Sequence, residues 1–235
     1  MSWLRTLAKS DEDEGAFGRH AVLLGSLVLL LVAVPLVQIA TGRSAGFPPM
    51  LALVMVAAIV VNSHQRGIFL VAIGLGGAAI VGLGLAEYTD ATTIRVTSEL
   101  IALALLGLTT LVMLNGLIQA DQVSRDTIVG GICVYLLVGL CFAVAFILLA
   151  QLDPDAFASS APPIPIEERS RRATQLLYFS FVTLTTLGYG DIAPRSDLAQ
   201  MFAVSEALIG QLYLTIFVAR LVALYVGRRR NEPTV

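Results

Sequence analysis

The sequence predicts an all-α integral membrane protein with six transmembrane helices and one shorter helix that enters the membrane without crossing it. Two observations carry that prediction. Of 235 residues, 57% are hydrophobic and 14% charged, against about 25% charged in soluble domains. One core cannot hide so many apolar residues, and the solvent has to be largely lipid. These residues also fall into separate runs, most of them long enough to cross a hydrocarbon layer about 30 Å thick at about 1.5 Å per helical residue. A soluble enzyme is excluded. The net charge of -2 also argues against nucleic acid, because neutralising phosphates needs a basic excess. Membrane lipid is the first partner.

The first run, residues 21–40, follows a head with Arg5, Lys9, the acidic run Asp11 to Glu14, and Arg19. It is too long and too acid-flanked for a signal peptide and is expected to stay in the protein. Trp3, Leu4 and Leu7 in the head read as a frayed end. In the second run Pro48 and Pro49 can open a helix, but residues 50–61 are few, and the segment spans only if 48–65 is all helical. The third run, 68–86, has Gly74, Ala78 and Gly82 at four-residue spacing, which favours close approach of another helix. It lacks the Lys and Ser/Thr of a phosphate loop.

A polar stretch, 87–98, precedes the fourth run, 99–118, which carries no Arg or Lys. A voltage sensor needs charge inside the membrane, so steep voltage dependence is not expected. Arg95 and Arg125 on either side read as interfacial anchors. The fifth run, 127–152, crosses with tilt. Its Cys133 and Cys141 are too far apart on a helix for a disulfide and read as small buried hydrophobes. His20 and His64 stand alone, and no Cys/His cluster has metal-ligand spacing, so no catalytic residue or cofactor is expected.

The next segment, 153–172, contains Pro154, Pro162, Pro163 and Pro165 and reads as an exposed loop. Residues 174–186 are apolar and aromatic, too short to span, and run directly into Gly188-Tyr189-Gly190-Asp191. A re-entrant helix followed by irregular backbone fits, which membrane depth tolerates only beside protein or a water-filled cavity. Pro194 ends the excursion. Residues 198–226 form the sixth span, closed by Gly227 and by Arg228, Arg229 and Arg230. Clustered arginine favours the cytoplasmic side, so both termini are expected there in a multi-pass plasma-membrane protein.

Gly-Tyr-Gly alone usually marks a turn. A half-length helix before it, long spans on both sides and a polar turret give it another meaning. A cation entering a narrow passage must lose its water, and backbone carbonyls can replace it. Glycine at 188 and 190 permits left-handed φ values that turn successive carbonyls the same way. The Thr186 hydroxyl can add an innermost ring of oxygens, while Tyr189 can pack outward against the short helix.

The stretch Thr183-Leu184-Thr185-Thr186-Leu187-Gly188-Tyr189-Gly190-Asp191 resembles the signature of potassium channels, commonly Thr-Val-Gly-Tyr-Gly, with Leu187 in place of valine. The resemblance, to the bacterial-type six-span family, covers about 127–226 and implies a potassium-selective channel in a bacterial inner membrane. It implies K+ ions at Thr186, Leu187, Gly188 and Tyr189, with Gly190 completing the filter. Asp191 is then expected at the outer mouth. Relatives often bond a tryptophan to that aspartate; here Tyr178 can donate and Phe179 cannot. Val182 stands where some relatives carry glutamate. Thr185 is expected to border the cavity, Gly210 to act as a hinge, and Arg220 to snorkel to the inner headgroups.

Glu206 is an ionisable group deep in the sixth span and therefore a functional-site candidate. It bonds to the pore helix, sits protonated behind the filter, or attracts cations in the cavity.

One filter segment per chain implies a homotetramer by the same resemblance. The short connection 119–127 implies that the first four spans pack on their own subunit's pore. The expected organisation is a cytoplasmic segment 1–20, a sensor-like domain 21–118 without a charge ladder, a pore domain 119–227 and a tail 228–235. Either gating signals come from lipid, membrane tension, pH or a separate regulatory protein, or the channel is constitutively open. The competing readings are a weakly selective cation channel, a non-conducting sensor or accessory subunit, and a transporter with channel-like repeats, which usually carries several degenerate filters.

Overall fold

In lipid every peptide group must find its hydrogen-bond partner within its own segment, so the apolar runs become helices. The computed structural model describes residues 20–37, 47–64, 66–89, 92–120, 124–159 and 169–231. The helices are α1 (His20–Val37), α2 (Phe47–Val61), α3 (Arg66–Thr89), α4 (Thr92–Gln119), α5 (Arg125–Leu152), α6 (Arg169–Leu184) and α7 (Asp197–Asn231). Two short strands, β1 (Phe157–Ser159) and β2 (Ile192–Pro194), pair antiparallel. Among the described residues, five helices (α1, α3, α4, α5 and α7) are long and apolar enough to cross a membrane. The chain is a multi-pass membrane protein.

Several boundaries differ from the sequence expectation. The second run meets its condition only in part. The 15 residues of α2 rise about 22 Å, Asn62–His64 turns into a 3₁₀ helix, and Gln65 lies outside the described residues, as do 38–46 and the head 1–19. The polar stretch 87–98 is mostly helical, because α3 runs to Thr89 and α4 starts at Thr92. Its polar groups are satisfied locally: Arg95 donates to the Ala86 carbonyl at 3.0 Å, capping the end of α3. In α3 the buried row is Ala72, Gly76 and Ala79, while Gly74 has nothing near it. Of the predicted small residues only Gly82 packs tightly, against Ser98.

Side-chain bonds fix the order of the helices. At one end His20 Nδ1 lies 2.7 Å from Asp126 Oδ1, joining the starts of α1 and α5. At the same end the α5 N-terminus is closed by a Ser124–Thr127 capping box. At the other end Gln151 Nε2 donates to Glu99 Oε2 at 2.6 Å, joining the end of α5 to the start of α4. Between these ends α4 packs along α5, with Thr110 Oγ1 lying 3.9 Å from Cys141 Sγ. Asn62 Nδ2 ties α2 to α4 through Thr109 Oγ1 at 2.8 Å. Cys133 and Cys141 are both free thiols.

The remaining differences surround the predicted filter. The segment 153–172 is not all loop: Phe157–Ser159 pairs with Ile192–Pro194, Phe157 opposite Pro194. Residues 160–168 lie outside the described set. The short helix begins at Arg169, five residues earlier than its apolar run, and stops at Leu184. The last helix continues unbroken through Gly227 to Asn231, so that glycine does not end it.

Candidate functional site

The short helix α6 has 16 residues and rises about 24 Å, less than the hydrocarbon thickness. Its inner end abuts α7. A Cβ at Gly210 would lie 2.6 Å from the Leu184 carbonyl oxygen, so α7 and the end of α6 meet backbone to backbone there. Gly210 is thus a point of close approach within a continuous helix. The middle of α6 is anchored by aromatic packing. Phe179, only 5% exposed, meets Phe146 edge to face at 5.1 Å and Phe157 at 5.5 Å.

Beyond Leu184 the backbone turns sharply. The Thr186 amide donates to the Thr183 carbonyl at 2.9 Å, and the Leu187 amide to the Val182 carbonyl at 2.9 Å. Three residues then adopt left-handed φ: Thr186 at 58°, Gly188 at 58° and Gly190 at 76°. They alternate with Leu187 and Tyr189, which do not. A Cβ at either glycine would touch nothing within 4 Å of its own chain, so glycine is required for conformation and not for space. Thr186 is the outlier, since a β-branched residue is strained at positive φ. Nothing in the sequence signalled it.

The neighbouring side chains sort by height. Tyr178 hydrogen-bonds to Asp191, and partial desolvation, then this carboxylate, hold its phenol above the ordinary pKa. Beyond Asp191, β2 is held by its pairing with β1 and by Arg195 N donating to the Ala156 carbonyl at 2.7 Å. Val182 supports the turn through its carbonyl and is buried. Thr185 is exposed, its hydroxyl donating to the Phe181 carbonyl at 2.6 Å. Below it Gln211 Nε2 reaches Thr186 Oγ1 at 3.4 Å, and Thr215 lies one turn further along α7 on the same exposed face. Gln211 and Thr215 were missed because polar residues scattered through a long span carry no periodic signal of their own.

Two more features escaped the sequence reading. A row of rings links α7 to α5: Phe217 stacks on Tyr213 at 5.6 Å, and Tyr213 on Tyr135 at 6.0 Å. The Tyr135 hydroxyl then reaches the Leu184 carbonyl at 3.4 Å. Arg220, expected at the headgroups, instead donates to the carbonyls of Ile118 at 2.6 Å and Ala120 at 2.9 Å, closing the C-terminus of α4. Glu206 is fully buried and lies 2.5 Å from the hydroxyl of Ser180 on α6. Among the described residues, no cluster of three or more His, Cys, Asp or Glu side chains could hold a metal ion.

Residues 134–226 match the family model described as ion channel. That segment takes in most of α5, the short helix, the left-handed backbone and nearly all of α7. The chain is 36% identical over 89 residues to the two pore potassium channel c of Oryza sativa subsp. japonica, which covers 38% of this chain and 17% of that protein. Over 91 residues it is 36% identical to two pore potassium channel b of the same plant, 39% of this chain and 25% of the relative. A shorter stretch of 42 residues is 50% identical to the voltage-gated delayed rectifier potassium channel KCNH5 of Homo sapiens, covering 17% of this chain and 4% of that protein. The chain thus spans a quarter or less of the length of these relatives. No solved structure matches it significantly. The family model and these relatives are ion channels.

Proposed function

We propose that this chain is a potassium-selective ion channel that conducts passively through a tetrameric pore and is not strongly voltage-gated. One observation carries the reading: left-handed φ at Thr186, Gly188 and Gly190, alternating with Leu187 and Tyr189, at the end of a helix too short to span. That alternation turns consecutive peptide planes so that their carbonyls face one direction. Similarity to potassium channels supports potassium as the cargo. K+ is then held by the carbonyls of Thr186, Leu187, Gly188 and Tyr189, with Gly190 and Asp191 at the outer mouth.

A single ribbon cannot enclose an ion. Its own chain leaves Leu187 55% and Tyr189 66% exposed, and four copies around an axis would cover them. Gln211 and Thr215, with Thr185, then line a wet cavity below the filter. With α2 and its 3₁₀ turn as the second crossing there are six spans, and both termini lie on the cytoplasmic side of a bacterial inner membrane, beside the closing arginines. The division at about residue 119 separates a four-helix domain from the pore, and the contacts of α4 with α5 and Arg220 support packing on the chain's own pore. Arg95 is the one basic residue within α4, and its bond to the Ala86 carbonyl ties it to α3, which supports weak voltage dependence.

The test is purified protein in planar bilayers under opposed potassium and sodium gradients. A reversal potential near the potassium value is expected, and one midway would mean a weakly selective cation channel. Gly188→Ala is expected to abolish current, because alanine in the left-handed region costs about 1–2 kcal/mol in every copy. A wild type without current, whose cellular phenotype survives Gly188→Ala, would instead be a sensor or accessory subunit.

A further inference from the structure

Behind the candidate filter, three helices meet at one hydroxyl. Ser180 Oγ on α6 lies 2.7 Å from the Gly139 carbonyl oxygen on α5 and 2.5 Å from Glu206 Oε1 on α7. Both Ser180 and Glu206 are fully buried. The meeting depends on Gly139, where a Cβ would lie 3.0 Å from both Leu184 and the Phe181 ring; its absence lets α6 close onto α5. The titratable neighbour on α5 is Tyr135, whose hydroxyl points to Leu184.

Hydrogens decide the chemistry of this contact. A serine hydroxyl carries one hydrogen, and a peptide carbonyl carries none. Were Glu206 ionised, the three oxygens would share the single serine hydrogen, and one of the two short contacts would press lone pair against lone pair. A second hydrogen is needed, and only the carboxyl can supply it. The other carboxyl oxygen, Glu206 Oε2, has no partner among the described residues, which a neutral acid tolerates far better than a buried anion.

We propose that Glu206 is a neutral carboxylic acid that donates to Ser180, which in turn donates to the Gly139 carbonyl, so that the two side chains position the filter by tying the pore helix to the inner and outer helices. Ser180 is the new positioning residue. It sits one turn before Leu184, the last residue of α6, on the same face. A slack relay would therefore let the root of the filter shift. The inference rests on reading residues 186–190 as the filter, but the protonation state can be measured whether or not the protein conducts.

Two measurements on the full chain in liposomes test it. The infrared difference spectrum of wild type minus Glu206→Gln at neutral pH is expected to show the carbonyl band of a protonated carboxylic acid; its absence would overturn the proposal. Glu206→Gln keeps a donor toward Ser180 and is expected to take up rubidium within about twofold of wild type, whereas Glu206→Ala and Ser180→Ala lose about tenfold. If Glu206→Gln were as impaired as Glu206→Ala, the relay would be wrong. Should an alanine variant fail to fold, the band and the glutamine variant still decide. A wild type that shows the band but no uptake under any condition would sink the channel reading and leave the protonation intact.

Discussion

Replacing Gly210 with alanine separates close approach from flexibility as the reason for that glycine. The added Cβ would sit 2.6 Å from the Leu184 carbonyl oxygen and 2.9 Å from Leu184 Cδ1. The carbonyl contact is about 0.8 Å closer than ordinary contact, which begins at 3.4 Å. Backbone at the end of α6 cannot rotate away as a side-chain tip can, so overpacking is expected to cost about 1–3 kcal/mol. Alanine also favours a helix over glycine by about 1 kcal/mol. Gly107→Ala is the matched reference, since a Cβ there meets nothing within 4 Å and keeps only the propensity gain. The difference between the two variants reads the overpacking alone. At about 2–4 °C per kcal/mol for a chain of this size, Gly210→Ala should melt several degrees below Gly107→Ala in detergent or nanodiscs, and ion flux should fall with it. Equal melting temperatures, with flux altered only in Gly210→Ala, would refute close approach and favour a hinge.

Other perturbations have directions fixed by the same contacts. Tyr178→Phe removes the hydrogen bond to Asp191 and is expected to change the rate at which macroscopic current declines during sustained conduction; unchanged currents would remove that bond from the account. Arg220→Ala frees the carbonyls of Ile118 and Ala120 and should cost about 1–2 kcal/mol locally, read as roughly tenfold faster amide hydrogen exchange in the last turn of α4. Thr186→Gly relieves a positive φ worth about 1 kcal/mol or more but deletes the hydroxyl ring. It should weaken the discrimination between potassium and sodium in reversal-potential measurements while leaving thermal stability equal or higher.

The sequence made the left-handed backbone at 188 and 190 legible because glycine chemistry is local: two residues without a β-carbon, one apart, after a short apolar helix define the backbone they permit. Glu206 was legible for a different local reason, the cost of a carboxyl in an apolar run. The positive φ of Thr186 was hidden, since a β-branched side chain ordinarily avoids that region and only the surrounding hydrogen bonds impose it. The pairing of Phe157–Ser159 with Ile192–Pro194 was hidden because strands of three residues carry no periodicity, and their partner lies across the pore helix. Nothing in the sequence marked Ser180; its contacts are with Gly139 and Glu206, which are distant in sequence. Arginines concealed the first turn of α6, as polarity reads as loop although nothing in an arginine side chain opposes a helix.

The most direct measurement is anomalous scattering from the assembled protein prepared in rubidium or thallium, both of which replace potassium. The account predicts peaks in single file on a fourfold axis, level with the carbonyls of Thr186, Leu187, Gly188 and Tyr189. An assembly that leaves this ribbon away from any symmetry axis, or holds no ion along it, would contradict the claim that these carbonyls take the place of water around the ion.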